Sequence, residues 1–268
     1  QATGNTTALT VQPAILTVTA ANTSKSYDGQ AYVGGNGVSY SGFVNGQNTS
    51  ILTGEITYAG TAQNAINAGT YSIVPSGVSN SNYTVNYVSG SLVVNPVTLT
   101  YKASAATSVY GSSPSVNSGT VTGFVNDETM ASATTGTMVF TTTASATTNV
   151  GSHAIQGGGL TANYGNYVFA QDATNANALT ITPASLLITA NNATKTYDGL
   201  AYAGGNGVSY SGFMNNETGA VLGGTLSYSG TSQNAKNVGT YGITPAGLTS
   251  SNYSITYASG SLSVEKAN

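Results

Sequence analysis

Gly34-Gly35-Asn36-Gly37-Val38-Ser39-Tyr40-Ser41-Gly42-Phe43 is read twice in this chain, the second time as Gly204-Gly205-Asn206-Gly207-Val208-Ser209-Tyr210-Ser211-Gly212-Phe213. Extended outward in both directions, residues 14–95 return as 184–265 at a constant offset of 170 without a gap, and more than half of the 82 aligned positions are identical. The decamer also carries the fold. Val38 and Tyr40 alternate with Ser39 and Ser41, the period of two that marks a strand with one buried face. The glycines around it allow turns with positive φ. The same alternation runs through Leu16, Val18 and Ala20, and through Tyr83, Val85 and Tyr87. Turns at Asp28-Gly29, Asn67-Ala68-Gly69 and Ser89-Gly90 then divide a copy into about seven short strands. One short helical turn is expected after Phe43 and its counterparts. There Asn45, Asn126 and Asn215 are placed to cap, and Asp127, Glu128 and Glu217 add negative charge near a helix N-terminus.

The stretch between the two copies is a third, diverged one. Thr122-Gly123-Phe124-Val125-Asn126 echoes Ser41-Gly42-Phe43-Val44-Asn45, and Asn149-Val150-Gly151-Ser152-His153 stands where Asn67-Ala68-Gly69-Thr70-Tyr71 stands. Gly159-Leu160-Thr161-Ala162-Asn163-Tyr164 is read as the answer to residues 77–83, and Tyr110-Gly111-Ser112 takes the place of Tyr27-Asp28-Gly29. Ala8-Leu9-Thr10-Val11-Gln12-Pro13 matches Ala178–Pro183, so residues 1–13 are expected to be the last strand of a preceding module. The modules that follow are 14–96, 97–183 and 184–268. Each joint is Gln12-Pro13, Asn95-Pro96 or Thr182-Pro183. Proline fixes φ, removes a donor and keeps its predecessor extended, so these linkers are short and stiff. Tandem copies so joined are expected to form an elongated rod, and repetition of this kind serves length or multiplicity where an enzyme needs a single site.

Composition narrows the function further. Charged residues are only 5% of the chain, and the five cations are Lys25, Lys102, Lys195, Lys236 and Lys266. No basic patch is available to neutralise phosphates, which argues against nucleic acid. Cysteine is absent, removing disulfides, zinc–thiolate sites and thiol nucleophiles. No run of about 18 apolar residues spans a bilayer. A cysteine-free chain rich in Ser, Thr, Asn and Gly suits an extracellular bacterial protein, with its targeting sequence expected upstream.

The Lys-x-Tyr-Asp-Gly stretch, the Ser-Gly-Phe centre, the Gly-Thr-Tyr strand, the Ser-Asn-Tyr turn and the closing Gly-Ser-Leu strand together resemble the YDG domain of bacterial surface adhesins. The middle copy, with Tyr110 and Gly111, resembles the MBG domain of the YGX type. The resemblance implies a filamentous-haemagglutinin-like adhesin exported by two-partner secretion, with a role in cell adhesion or biofilm, and modules arrayed as a stalk at the bacterial cell surface. It also implies a mainly β, β-grasp-like module with one short helical turn. Seven short strands equally allow an immunoglobulin-like sandwich. The family brings no catalytic residue, metal or cofactor.

Read on their own, the residues point the same way. His153 is the single histidine and replaces Tyr71 and Tyr241 of the other copies, so it reads as structural. The eight carboxylates form no Asp-x-Asp run of the kind calcium sites use. Gly34-Gly35-Asn36-Gly37 has no helix or Gly-Lys-Ser/Thr after it and is a loop, not a phosphate cradle. The structural motif residues are Tyr27, Asp28 and Gly29, Tyr110 and Gly111, and Tyr197, Asp198 and Gly199. Asp28 and Asp198 read as Asx-turn acceptors, with Lys25 and Lys195 available to pair across the turn. Eighteen tyrosines and no tryptophan make tyrosine the main core aromatic, as at Tyr40, Tyr58, Tyr83 and Tyr87. An exposed tyrosine surface alternatively binds host or matrix glycans, or surface proteins, through repeated weak contacts.

Overall fold

The computed structural model describes residues 9–267, and the chain falls into two units. The first comprises the residues up to Thr100 with Val121–Thr137 and Gly159–Ala170; the second comprises Tyr101–Thr120, Met138–Gly158 and the residues from Gln171 onward. The division therefore runs through the middle copy. Of the strand expected over residues 1–13, the part before Leu9 lies outside the described residues. Leu9–Pro13 belong to no strand, and Leu9 and Val11 are 89% and 81% exposed.

In the first copy seven strands follow one another: β1 Ala14–Ala20, β2 Thr23–Ser26, β3 Val38–Ser41, β4 Thr57–Ala59, β5 Gly69–Ser76, β6 Tyr83–Val88 and β7 Gly90–Asn95. They divide between two sheets, ordered β3-β1-β6 and β2-β7-β5-β4. This is the two-sheet arrangement of the sandwich alternative, not one sheet curled over a helix. β1 runs antiparallel to β3 and parallel to β6, and β7 runs parallel to β2 and antiparallel to β5. The first and last strands of the copy are thus both interior strands. The alternation sets the burial: Leu16, Val18 and Ala20 on β1 are buried with Thr17 and Thr19 between them, and Leu92 and Val94 on β7 are buried with the half-buried Val93 between them. Tyr83 is buried; Tyr40 and Tyr87 pack half-buried beside it, and Tyr58 lies against the neighbouring cluster around Ile73.

The middle copy contributes β8 Val97–Ala103, β9 Ala106–Val109, β10 Gly119–Thr122, β11 Thr134–Thr141, β12 Gly151–His153, β13 Gln156–Ala162, β14 Tyr167–Gln171 and β15 Leu179–Thr182. Its eighth strand arises because the counterpart of β5 is broken into β12 and β13 at Ala154-Ile155. In the second unit, Asn175 explains the break. It is 3% exposed on a 3-10 turn, and its backbone carbonyl accepts from the Ile155 N–H at 2.9 Å. Its side chain accepts from the Ala103 N–H at 2.8 Å and donates to the Tyr101 carbonyl at 2.9 Å. A buried amide in this position satisfies backbone groups that a continuous ladder would otherwise pair.

The third copy, entirely in the second unit, repeats the first: β16 Ala184–Ala190, β17 Ala193–Thr196, β18 Val208–Ser211, β19 Gly223–Ser229, β20 Gly239–Thr249, β21 Tyr253–Ala258 and β22 Gly260–Glu265. Its sheets are ordered β18-β16-β21 and β17-β22-β20-β19. Among the described residues no helix is long and apolar enough to cross a membrane.

The helical turn is present in each copy but begins later than expected. Asn45, Asn126 and Asn215 do not cap it. They are left-handed, at φ of 54°, 52° and 54°, each followed by a second left-handed residue. Asparagine tolerates that region, so these residues build a tight turn instead. The caps are Asn48, Thr129 and Thr218, ahead of short turns at Thr49–Ile51, Met130–Ala133 (α1) and Gly219–Val221.

The Ser-Gly-Phe centre has a steric cause. Gly42, Gly123 and Gly212 sit at φ of 110°, 110° and 113°, where a Cβ would lie 2.3, 2.5 and 2.4 Å from the carbonyl oxygens of Ile15, Thr98 and Ser185. Gly37, also left-handed, faces open space. Gly42→Ala is expected to lower stability by about 1–3 kcal/mol, with Gly37→Ala at the bottom of that range, where the backbone term acts alone. Urea denaturation of the two variants side by side checks the order.

Candidate functional site: the joint between copies

Tyr27 is held at the end of β2 by its own backbone, whose N–H donates to the Asn95 carbonyl at 2.8 Å. The ring then leaves its own copy. It packs edge-on against Tyr167 of the middle copy, ring centres 5.5 Å apart at 81°, and is 4% exposed. Its hydroxyl donates to Glu128 Oε1 at 2.7 Å, while the Tyr167 hydroxyl donates to Glu128 Oε2. One carboxylate therefore accepts two phenols. Tyr167 is itself fixed by accepting from the Val125 N–H at 3.1 Å and by packing on Phe124.

A second contact flanks the first. Asn166, 4% exposed, accepts from the Ala68 N–H at 2.7 Å and donates to Asn67 Oδ1 at 3.0 Å, clasping the Asn-Ala-Gly loop of the first copy. Asn166 also accepts from the Val97 N–H through its backbone carbonyl at 3.0 Å, just past the Asn95-Pro96 linker. The hydrophobic cluster is continuous through this joint: Tyr27, Ile73 and Leu92 of the first copy share it with Leu99, Ala133 and Tyr167 of the middle one. Only a cavity of about 130 Å³ remains between Tyr27, Asn67, Glu128 and Tyr164.

The second unit contains the same joint again. Tyr110, 3% exposed, lies edge-on to Tyr253 at 5.5 Å and 82°. Its hydroxyl donates to Glu217 Oε1 at 2.6 Å, and the Tyr253 hydroxyl donates to Glu217 Oε2 at 2.5 Å. Asn252 accepts from the Val150 N–H at 3.0 Å and donates to Asn149 Oδ1 at 2.9 Å. The electrostatics match as well. Burial, then the bond to Glu128, pushes the hydroxyls of Tyr27 and Tyr167 up to about 12, and burial with the bond to Glu217 does the same to Tyr253. Tyr110 is raised chiefly by its bond to Glu217.

The motif residues divide accordingly. Tyr27 and Tyr110 enter a neighbouring copy; Tyr197 does not and is 44% exposed. Asp28 and Asp198 close the turn behind the tyrosine, accepting the N–H of Gln30 and Leu200 at 2.9 Å. Lys25 and Lys195 reach them at 2.7 and 2.6 Å and hold both carboxyls below the ordinary range. Gly29, Gly111 and Gly199 are left-handed, at φ of 72°, 89° and 77°. A Cβ on Gly29 would meet Asn126 at 2.6 Å and one on Gly111 would meet Met214 at 2.3 Å, whereas nothing lies near Gly199. His153 Nε2 faces the Asn149 carbonyl at 2.8 Å, the bond that Tyr71 and Tyr241 make to Asn67 and Asn237. It is thereby the protonated tautomer nitrogen of a loop brace. Among the described residues no three His, Asp or Glu side chains converge on one point.

Two readings change. The counterpart of Asn82-Tyr83 in the middle copy is Asn166-Tyr167, not Asn163-Tyr164. Tyr164 is 78% exposed on a turn, and an Asn-Tyr pair occurring twice in five residues hid the inserted turn. Glu128 and Glu217, read as helix charges, are the acceptors of the joint. Their signal was the shared position four residues after Phe124 and Phe213, which Gln47 occupies after Phe43.

The MBG domain (YGX type) family matches the chain three times, at residues 16–93, 99–180 and 186–263, covering the outer copies as well as the middle one. No curated protein matches. Among solved structures, the I9-I11 tandem from titin is similar at 11% identity and a TM-score of 0.25, over 94% of this chain and 100% of that one. The protocadherin GammaB4 extracellular domain is similar at 9% identity and a TM-score of 0.25, over 94% of this chain and 49% of that one.

Because the tyrosine hydroxyls titrate higher in the folded chain than in an unfolded one, their stabilisation is complete below pH 10 and is lost as pH rises through about 12. Phenolate absorbance is expected to show late-titrating tyrosines near pH 12, with alkaline unfolding in the same window. At neutral pH, Tyr27→Phe is expected to cost about 1–2 kcal/mol through the lost bond to a charged acceptor, and Tyr27→Ala about 3–5 kcal/mol through the lost ring. Tyr197→Phe, whose hydroxyl has no such acceptor, is expected to stay within about 0.5 kcal/mol of the parent in the same denaturation series.

Proposed function

We propose that this chain, which belongs to the MBG domain (YGX type) family over three tandem copies, is a stiff, non-enzymatic stalk segment of a secreted bacterial surface adhesin, holding a binding region away from the cell. One observation carries the reading: the same joint is built in both units from side chains of both adjoining copies, so each copy is specified as a partner for its neighbour. A flexible tether needs no such contact. A clasp on either side of a proline linker removes the rotation that a short connector alone would leave.

The strand order supports the same reading. Tension on a stalk enters a copy through its first strand and leaves through its last. In the outer copies those strands, β1 and β7 or β16 and β22, are hydrogen-bonded on both sides, so neither peels from a sheet edge. Proline, lysine and short strands are the common protections of an exposed edge; here the strands under load are simply not edges.

Solution scattering tests the proposal. The intact chain is expected to give a sharply bounded distance distribution. A Gly/Ser spacer between Asn95 and Pro96, or Tyr27→Ala with Glu128→Ala, is expected to broaden it. Profiles that the spacer and the double variant leave unchanged would remove the basis for a stiffened stalk.

A further inference from the structure

Each joint holds two phenol rings in a position from which a covalent bond can form between them. In the first unit Tyr27 and Tyr167 lie edge-on with centres 5.5 Å apart, and in the second Tyr110 and Tyr253 do the same at 5.5 Å. Both hydroxyls of a pair bind one carboxylate, Glu128 or Glu217, so the ring edges that carry the oxygens converge on the same point. The reactive carbons of an oxidised phenol are those next to its oxygen. Holding two such edges together replaces a rare encounter between radicals with a reaction inside one site. The carboxylate meets the other requirement. A phenol gives up an electron readily only when its proton leaves too, and a hydrogen-bonded carboxylate is a proton acceptor already in place. Glu128 and Glu217 are each half-buried, which leaves an edge from which the proton passes to water.

Each joint also has a route by which an electron leaves. Tyr164, 78% exposed on its turn, lines the cavity of about 130 Å³ that Tyr27, Glu128 and Tyr167 share. In the second unit a cavity of about 560 Å³ opens onto Glu217 and Tyr253 themselves. With no cysteine and no tryptophan in the chain, tyrosine and the three methionines are the side chains most open to oxidation.

We propose that the two joints are sites of oxidative modification, in which Tyr27 couples to Tyr167 and Tyr110 to Tyr253 as dityrosine, the oxidant being hydrogen peroxide acting through a haem peroxidase. Each phenol gives one electron to the oxidant and its O–H proton to the glutamate, which passes that proton to water before the second phenol reacts. The two tyrosyl radicals join by a carbon–carbon bond between the ring positions beside the oxygens. The hydrogen on each of those carbons then moves as a proton to the oxygen of its own ring, restoring both phenols. In sum, two phenols and one peroxide give one dityrosine and two waters, the O–O bond breaking as it takes up two electrons and two protons. The proposal rests on the joint geometry alone and is independent of the adhesin reading. Its product ties adjoining copies covalently in a sequence that has no cysteine to do so.

The test is to treat the intact chain with a haem peroxidase and peroxide, isolate the monomer, digest it and read the peptides by mass spectrometry alongside dityrosine fluorescence. Expected are one peptide pair joined through Tyr27 and Tyr167 and another through Tyr110 and Tyr253, each two hydrogens lighter than its separate parts. Tyr27→Phe is expected to abolish the first crosslink and keep the second. Glu128→Gln leaves an acceptor oxygen beside the rings but removes the base, and is expected to slow the first crosslink by about 100-fold. Its pH profile separates proton transfer from mere support of the rings. In the parent the rate is expected to be flat through neutral pH, because the acceptor is built in, whereas in Glu128→Gln it is expected to climb with pH as solvent base takes over. The crosslink of the other joint, in the same molecule, controls for oxidant dose, and circular dichroism of each variant controls for folding. Crosslinks confined to exposed tyrosines such as Tyr164 and Tyr197, or a Tyr27–Tyr167 crosslink whose rate and pH profile Glu128→Gln leaves unchanged, would each overturn the proposal.

Discussion

A carboxylate that accepts two tyrosine hydroxyls, one from each side of a joint, is the interaction on which the ordering of the copies depends. Its strength comes from its setting. The phenols are buried, their rings meet edge-on, and the acceptor is half-buried among them, which makes a hydrogen bond to a charged oxygen worth about 1.5–3 kcal/mol and adds roughly 0.5–1.5 kcal/mol from each ring pair. The carboxylate escapes the full penalty of burial because both of its oxygens are occupied and its edge reaches water. With so few charges in the chain, placing one glutamate at each of the two joints is a concentrated use of charge.

Everything near the joint follows from bringing that ring across. The tyrosine has to leave its own sheet, so a left-handed glycine stands one or two residues after it, and there the next copy approaches too closely for a Cβ on Gly29 or Gly111. The aspartate of the Tyr-Asp-Gly copies belongs to the turn: it ties the chain back through an Asx bond and a lysine, a surface pair of small energy that shapes the turn without gripping the neighbour. The Asn-Tyr pair on the receiving side does two jobs in consecutive residues, the asparagine clasping a loop and the tyrosine sharing the acid. In the middle copy this economy survives extensive divergence elsewhere.

A small module has little core of its own, and a joint that buries a tyrosine lets neighbouring copies share one. In the first unit the cluster passes from Leu92 through Tyr27 to Leu99 and Tyr167 without interruption. Stability and orientation are therefore coupled: loosening the joint exposes core. Copies joined in this manner are held to one another by the same burial that folds them.

The repeat, the mainly β class and the left-handed glycines were legible in the chain alone, because period-two alternation, turn residues and internal copies are local or self-referential signals. The alternation of Leu16, Val18 and Ala20 carries over directly into burial, and the Asp28 turn can be derived from two adjacent residues. The capping residues were misplaced by three because asparagine serves both a cap and a left-handed turn, and only the backbone path distinguishes the two. Nor does the chain disclose that Glu128 answers Tyr27 from 101 positions away, or that Asn166 and not Asn163 holds the neighbour's loop. Those pairings are properties of a surface composed from two copies. They exist only once each copy has folded and the proline linker has brought one copy's turn against the next, so no periodicity within a single copy can record them.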